Sequence, residues 1–368
     1  MTTDERVRAV ADFGFTERQA HFLVLVMRQA GVCVPRQYAS FAGIANGGKK
    51  CNAFFDKLVR RGQAVASDCL HNRARLYHVH HKRLYHVIGE VTSRYRRRVP
   101  PRLAIERLML LDAVLTTPDV HWLTTASEKG TYLANQTASA AAEITPEMPA
   151  AAAPRPLHQL SATFPISLEP DGRPVLLYLA TEPWTDGFRS FLQEHAALLR
   201  VAPTWTLRLV FPRPLDRVYD AYQTVIREEL ESPLHSATIH ELQWYFDHRR
   251  QAAEGPVHPL TRGLLENGTQ LFGTPRFTQM YRRWLKQGDA VFEGPSSPAI
   301  AKALNAGSGT VECVVLPYVY RHLSPLVARD HETPVRVEKG ARRGDIASAR
   351  PQPPPSTRSS ISSTSALL

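Results

Sequence analysis

The first hundred residues change hydrophobic period twice. Thr16 and Glu17 precede an apolar run, FLVLVM at 22–27, and Gly31 follows it. That order predicts a helix capped by Thr16 and ended by Gly31. Apolar residues cover almost its whole circumference, so it should lie at the centre of its domain. Pro35 suits the first position of a second helix over 35–44. Ala45-Asn46-Gly47-Gly48 then reads as a turn, and KKCNAFFDKLVRRG as a third helix ending at Gly62. Within it Cys51, Phe54, Phe55, Leu58 and Val59 recur at helical spacing and predict a buried face against the first helix. Beyond Gly62 the pattern predicts two strands, 63–66 and 75–79, joined by a loop over 67–74. A fourth helix is expected with Leu84, Val87, Ile88 and Val91 on one face. It should run into Arg94, Arg96, Arg97 and Arg98, and Pro100-Pro101 should stop it.

An apolar helix over 103–115 comes next. More than one of its faces is apolar, so it must pack on a second domain or on another copy of the chain. Residues 134–156 are rich in alanine and proline and read as a linker. Strands are expected over 158–168, 175–180, 205–211 and 311–320. Helices are expected over 187–201, 215–231, 235–253 and 275–286, and a disordered tail over 336–368. The resulting organisation is α+β. A helix-turn-helix with a strand hairpin occupies 1–100 and a helical connector 101–133. The linker spans 134–156, and a mixed α/β domain occupies 157–335.

Charge sharpens this picture. The chain of 368 residues carries a formal net charge of +11. Residues 1–100 hold 18 Lys and Arg against 7 Asp and Glu, whereas the other 268 residues are balanced at 27 each. A positive excess confined to the helix-turn-helix region points to a polyanionic partner. At about 100° per residue, the outer face of the third helix presents Lys49, Ala53, Asp56, Lys57 and Arg60, flanked by Lys50 and Asn52. Such a helix can enter the major groove of double-stranded DNA. Asn52 is suited to bidentate reading of adenine, and Lys49 and Lys50 to guanine or phosphate. Arg36, on the second helix, joins the expected contact set. His71, Arg73 and Arg75 belong to the hairpin tip, where they would meet the adjacent backbone or minor groove.

FTERQAHFLVLVMRQAG, GGKKCNAFFDKLVRRGQAVAS and RARLYHV together resemble the winged helix-turn-helix domains of the bacterial replication-relaxation family, over residues 13–90. Those proteins occur on plasmids and integrating mobile elements. The resemblance implies DNA binding in transcription regulation, replication or mobilisation of a genetic element. It also implies a second domain related to PD-(D/E)xK nucleases. Asp171 and Glu182 are the acids that such a domain would use around a magnesium ion. Trp184 occupies the place where that pattern wants lysine, and no lysine lies between Lys129 and Lys286. The second domain is therefore expected to be inactive, with the metal-dependent nuclease kept as an alternative beside a pure protein adaptor.

Other chemistries find little support. Cys69, His71, His78, His80, His81 and His86 are zinc-ligand types, but their spacing matches no zinc pattern. The motifs of nucleotide-driven enzymes and of serine hydrolases are missing. No catalytic residue, cofactor or metal is expected. The cysteines (Cys33, Cys51, Cys69 and Cys313) form no CxxC pair, which suits free thiols in a reducing cytoplasm. The first residues lack the apolar core of a signal peptide, and no apolar run is long enough to span a bilayer. A cytoplasmic protein is expected, with homodimerisation through the 103–115 helix or the second domain.

Overall fold

Two capping boxes set the first two helices. Thr2 accepts from the Glu5 amide while the Glu5 carboxylate accepts from the Thr2 amide, opening α1 (Thr3–Ala11). Thr16 and Gln19 repeat the exchange at the start of α2 (Glu17–Gln29). Phe22, Leu23, Val24, Val26 and Met27 of α2 are all buried, as expected of a central helix. Gly31 leaves α2 at φ 69°, where a Cβ would stand 2.2 Å from the Tyr95 carbonyl oxygen. Only glycine fits both constraints. The computed structural model describes residues 1–45, 48–68, 75–117, 120–141, 164–256, 258–293 and 298–320.

A two-residue strand, β1 (Val32–Cys33), leads into α3 (Pro35–Phe41), which has Pro35 in its first turn. This helix is shorter than predicted, because Gly43 turns the chain at φ 65°. Then follow α4 (Gly48–Arg60), β2 (Ala64–Asp68) and β3 (Arg75–Val79). The strands form an antiparallel sheet in the order β1-β3-β2, with Cys33 opposite Tyr77 and Val65 opposite His78. The next helix, α5 (Lys82–Val87), is shorter than its apolar pattern suggested. Gly89 at φ 80° ends it, so Val91 lies exposed rather than on its inner face, and only a 3-10 turn (Arg94–Arg96) follows.

A long apolar helix, α6 (Pro101–Thr116), comes next. A second sheet is built from β4 (His121–Leu123), β5 (Ile166–Leu168), β6 (Pro174–Leu179), β7 (Trp205–Pro212) and β8 (Gly309–Leu316), in that spatial order. The β4-β5-β6 pairs are antiparallel and the β6-β7-β8 pairs parallel. Helix α7 (Ala126–Ala141) extends into the stretch expected to be a linker. Helix α8 (Asp186–Val201) connects β6 to β7. After β7 come α9 (Tyr219–Ile226), a π-helical turn (Arg227–Glu231), α10 (Ser236–Glu254), α11 (Pro259–Phe272), α12 (Pro275–Gln287) and α13 (Pro298–Asn305). Residues 142–163 and the expected tail over 336–368 lie outside the described residues.

Helix α6 answers the question its composition raised. It touches α2, α3 and β1 as well as β6, β7 and β8. Leu108, Met109 and Leu111 share one buried cluster with Phe22 and Phe54, and also with Val175, Val210 and Leu316 of the second sheet. Its apolar faces are thus largely covered within the chain, and Leu103, 37% exposed, is the apolar residue of 103–115 left for the expected dimer contact among the described residues. A second cluster, centred on Phe188, Trp205 and Tyr222, is built from α8, β7 and α9. A third, smaller one holds α10, α11 and α12 together around Tyr245, Phe246 and Trp284. Among the described residues no helix is long and apolar enough to cross a membrane.

Candidate nucleic-acid interface

The orientation of α4 follows from an aromatic knot. Phe54 is 1% exposed, with ring centroids 4.4 Å from Tyr38, 5.0 Å from Phe55, and 6.2 Å from both Phe15 and Phe22. Cys51, Phe55 and Leu58 are buried beside it. The predicted inner face is correct at these four positions. Val59 departs from it at 40% exposure, because it stands at the edge of the apolar arc. With the inner face fixed, Lys49, Lys50, Asn52, Ala53, Asp56 and Arg60 are all exposed on the outside.

Lys57 belongs to a different environment. Its ammonium donates to the Gly14 carbonyl and lies 5.0 Å from the Phe15 ring centroid. Burial, and after it the nearby Arg61 and Arg60, hold its pKa below the usual lysine range. Arg61 donates to the Phe13 carbonyl at 2.5 Å. Lys57 and Arg61 therefore pin the turn between α1 and α2 against α4. Sequence reading assigned Lys57 to the DNA face because its partner is a backbone carbonyl, which leaves no trace in a pattern of side chains. An open cleft of about 990 Å³ runs between the first turns of α2 (Thr16, Arg18, His21) and the α4 residues Lys50, Ala53 and Lys57.

Arg36 corrects the expected contact set more sharply. Its two terminal nitrogens donate to the two carboxylate oxygens of Asp112 on α6, each at 2.7 Å. Its guanidinium lies 3.7 Å from the Tyr318 ring centroid, and the Tyr320 hydroxyl donates to the same carboxylate. Burial alone would lower the Arg36 pKa, but Asp112 more than offsets it, and the net shift is upward. This cation joins α3 to α6 and to the chain beyond β8, and it is removed from the set expected to face DNA.

Arg75 opens β3, exposed and opposite Asp68. It neighbours Tyr77, whose phenol is raised by burial while Arg75 works against that rise and Asp56 of α4 adds to it. The hairpin and α4 thus meet around Tyr77. His71 and Arg73 lie outside the described residues, as does Cys69. His78 of β3 and His80, one residue beyond its end, have ring centroids 6.0 Å apart, and the His78 ring contacts the Tyr95 carbonyl at 3.1 Å. Among the described residues no three His, Cys, Asp or Glu side chains converge as a metal site would require.

The nuclease alternative loses its geometry. Asp171 sits in the turn before β6, where its carboxylate accepts from the Arg173 amide at 2.9 Å and Gly172 takes φ 85°. Glu182 follows the other end of β6, and its backbone carbonyl accepts from the Tyr222 hydroxyl at 3.0 Å. A six-residue strand separates them, roughly 20 Å at about 3.3 Å per residue. The two acids cannot share one metal ion. Comparison of the chain with protein-family models, with curated proteins and with solved structures finds no match in any of the three.

Proposed function

We propose that the N-terminal part of the chain is a winged helix-turn-helix that binds double-stranded DNA, with α4 in the major groove and the β2–β3 hairpin as the wing. The observation that carries this reading is the outer face of α4. Lys49, Lys50, Asn52 and Arg60 stand exposed on a helix whose opposite face is locked into an aromatic core. A rigid helix with amide and ammonium groups in its first turns is what base-edge reading needs. The order α3, turn, α4, antiparallel hairpin places Arg75 at the end of the hairpin that leads into the loop. In this reading Asn52 reads a base, Lys49 and Lys50 take a guanine edge or phosphates, and Arg60 and Arg75 hold the backbone. The resemblance to replication-relaxation proteins supports a role in regulation, replication or mobilisation of a genetic element.

Binding of the full chain to a labelled duplex, followed by fluorescence anisotropy over a range of salt, tests this. Four to six neutralised phosphates give a slope of log K against log[salt] of about −4 to −5. A slope near zero, or no binding at low salt, refutes the proposal. The full chain is the right material, because a fragment ended at residue 100 would lose the α6 side of its core.

A further inference from the structure

The cations of residues 82–98 are not part of the α4 surface. That segment holds six Lys and Arg against one acid, a net of +5 and nearly half of the excess in residues 1–100. The acid, Glu90, is already paired with Arg28 at 3.5 Å. Lys82, Arg83 and His86 are exposed on α5, whose Leu84 and Tyr85 are buried, and Arg97 and Arg98 are exposed just after the 3-10 turn. Among the described residues no acid pairs with Lys82, Arg83, Arg97 or Arg98. The turn that carries the arginines is firmly held. Ser93 accepts from the Tyr95 amide at 3.3 Å, Tyr95 is buried against Gly31, and the Arg107 guanidinium lies 5.0 Å from the Tyr95 ring centroid. Burial keeps the Tyr85 phenol above its ordinary range while Arg107 and Arg96 pull it back, so the turn adjoins α5. Tyr77 of β3 faces α4, its ring centroid 4.3 Å from that of Phe55, whereas the neighbouring His78 turns to the Tyr95 carbonyl. Successive residues of a strand face opposite sides of its sheet, so β3 stands between α4 and the arginine-bearing turn.

We infer that Lys82, Arg83, Arg97 and Arg98 form a second site for the phosphate backbone of double-stranded DNA, separate from α4. The chemistry of the patch selects this partner. Tyr85 and Tyr95 are buried, and Val91 is the exposed large apolar residue of the segment. The patch therefore lacks the apolar centre of a protein interface and the apolar face that a helix sinks into a membrane surface. It also offers no exposed aromatic ring on which the bases of a single strand could stack. Cations without apolar or aromatic company suit a regular row of phosphates, which a duplex presents at one charge per about 1.7 Å of its axis. Contacts of this kind carry no sequence information. The site is independent of base reading by α4. The further consequence, that one chain holds two duplex segments and draws them together, rests on the DNA reading of α4.

Sedimentation velocity of the full chain with a random duplex of about 12 base pairs at low salt counts the duplexes bound. Two per chain are expected. Lys82→Gln/Arg83→Gln/Arg97→Gln/Arg98→Gln should reduce the count to one with an unchanged melting curve. Lys49→Ala/Lys50→Ala/Asn52→Ala should also keep one, held by the second site with a slope of log K against log[salt] of about −3 to −4. Joining the two sets should abolish binding. Should the quadruple variant melt early, Arg97→Gln/Arg98→Gln, outside any helix, decides the case by making the slope of the α4 variant shallower by about 2. The inference is overturned if the quadruple variant leaves the count unchanged, or if the α4 variant alone removes all binding. A single duplex that the quadruple variant removes and the α4 variant leaves supports the second site and overturns the reading of α4 instead.

Discussion

Replacing Arg36 by alanine separates two roles that one cation could hold. Asp112 is 2% exposed and receives both terminal nitrogens of Arg36, whose side chain is 31% exposed. Without the guanidinium, the buried carboxylate keeps the Tyr320 hydroxyl but loses its counter-charge. Leaving one member of a buried pair alone costs about 3–5 kcal/mol, and the partial exposure of Arg36 brings this nearer ~2–3 kcal/mol. Lost stacking on Tyr318 adds about 0.5–1 kcal/mol. A total of about 3 kcal/mol in a chain of 368 residues corresponds to a fall in Tm of roughly 4–5 °C. Calorimetry on the full chain measures that fall, and the salt dependence of DNA binding serves as the companion assay. Arg36→Ala should leave the salt slope unchanged, whereas loss of a phosphate contact would reduce it by about 1. An unchanged Tm together with a reduced slope would refute the structural role argued here and return Arg36 to the DNA surface.

Asn52→Ala should weaken a preferred duplex by about 1–3 kcal/mol without altering the melting curve, and equal losses on preferred and random duplexes would mean that α4 only positions the protein. Gly31→Ala places a methyl against the Tyr95 carbonyl at positive φ and should cost at least ~2 kcal/mol. It would be read as a lower urea midpoint at constant m-value, and an unmoved midpoint would show that the contact yields freely. Lys129 is buried, donates to the Phe164 carbonyl at 2.5 Å, and is lowered to about 8, first by burial and then by Arg94. Between pH 8 and 10.5 the unfolded chain holds this proton and the folded chain does not, so folding gains stability as pH rises across that window. Wild type should therefore gain on the order of 3 kcal/mol relative to Lys129→Met between those limits in urea titrations, and parallel curves would disprove the shift.

The parts of the fold that the sequence makes legible are those with many apolar residues in one period. Helix α2 declares itself by FLVLVM, α4 by Cys51, Phe54, Phe55 and Leu58, and β3 and β7 by their alternating or continuous apolar runs. Helix α1 is nearly invisible, because Val7 and Val10 are its only buried residues. Strand β4 has three residues and draws its identity from pairing with β5, about 45 positions later. Helix α11 contains Gly263 and Gly268 and buries little, so it leaves a weak pattern. At the candidate site, exposed and short-range features were readable, whereas long-range partners were not. Nothing near Arg36 in the chain hints at Asp112, 76 residues away. Asp171 and Glu182 lie close in sequence, yet the strand between them holds them apart.

The shared position of α6 has a consequence for how this chain can change over time. A DNA-reading head that owns its whole core can be moved between proteins as a cassette, because its ends are also the ends of its packing. Here a recombination break near residue 100 would hand each product an unfinished interior, with Phe22 and Phe54 on one side and Val175, Val210 and Leu316 on the other. Substitutions that reshape the second sheet at those positions must be answered by substitutions in the N-terminal half. The two parts are therefore expected to drift as a single inherited block.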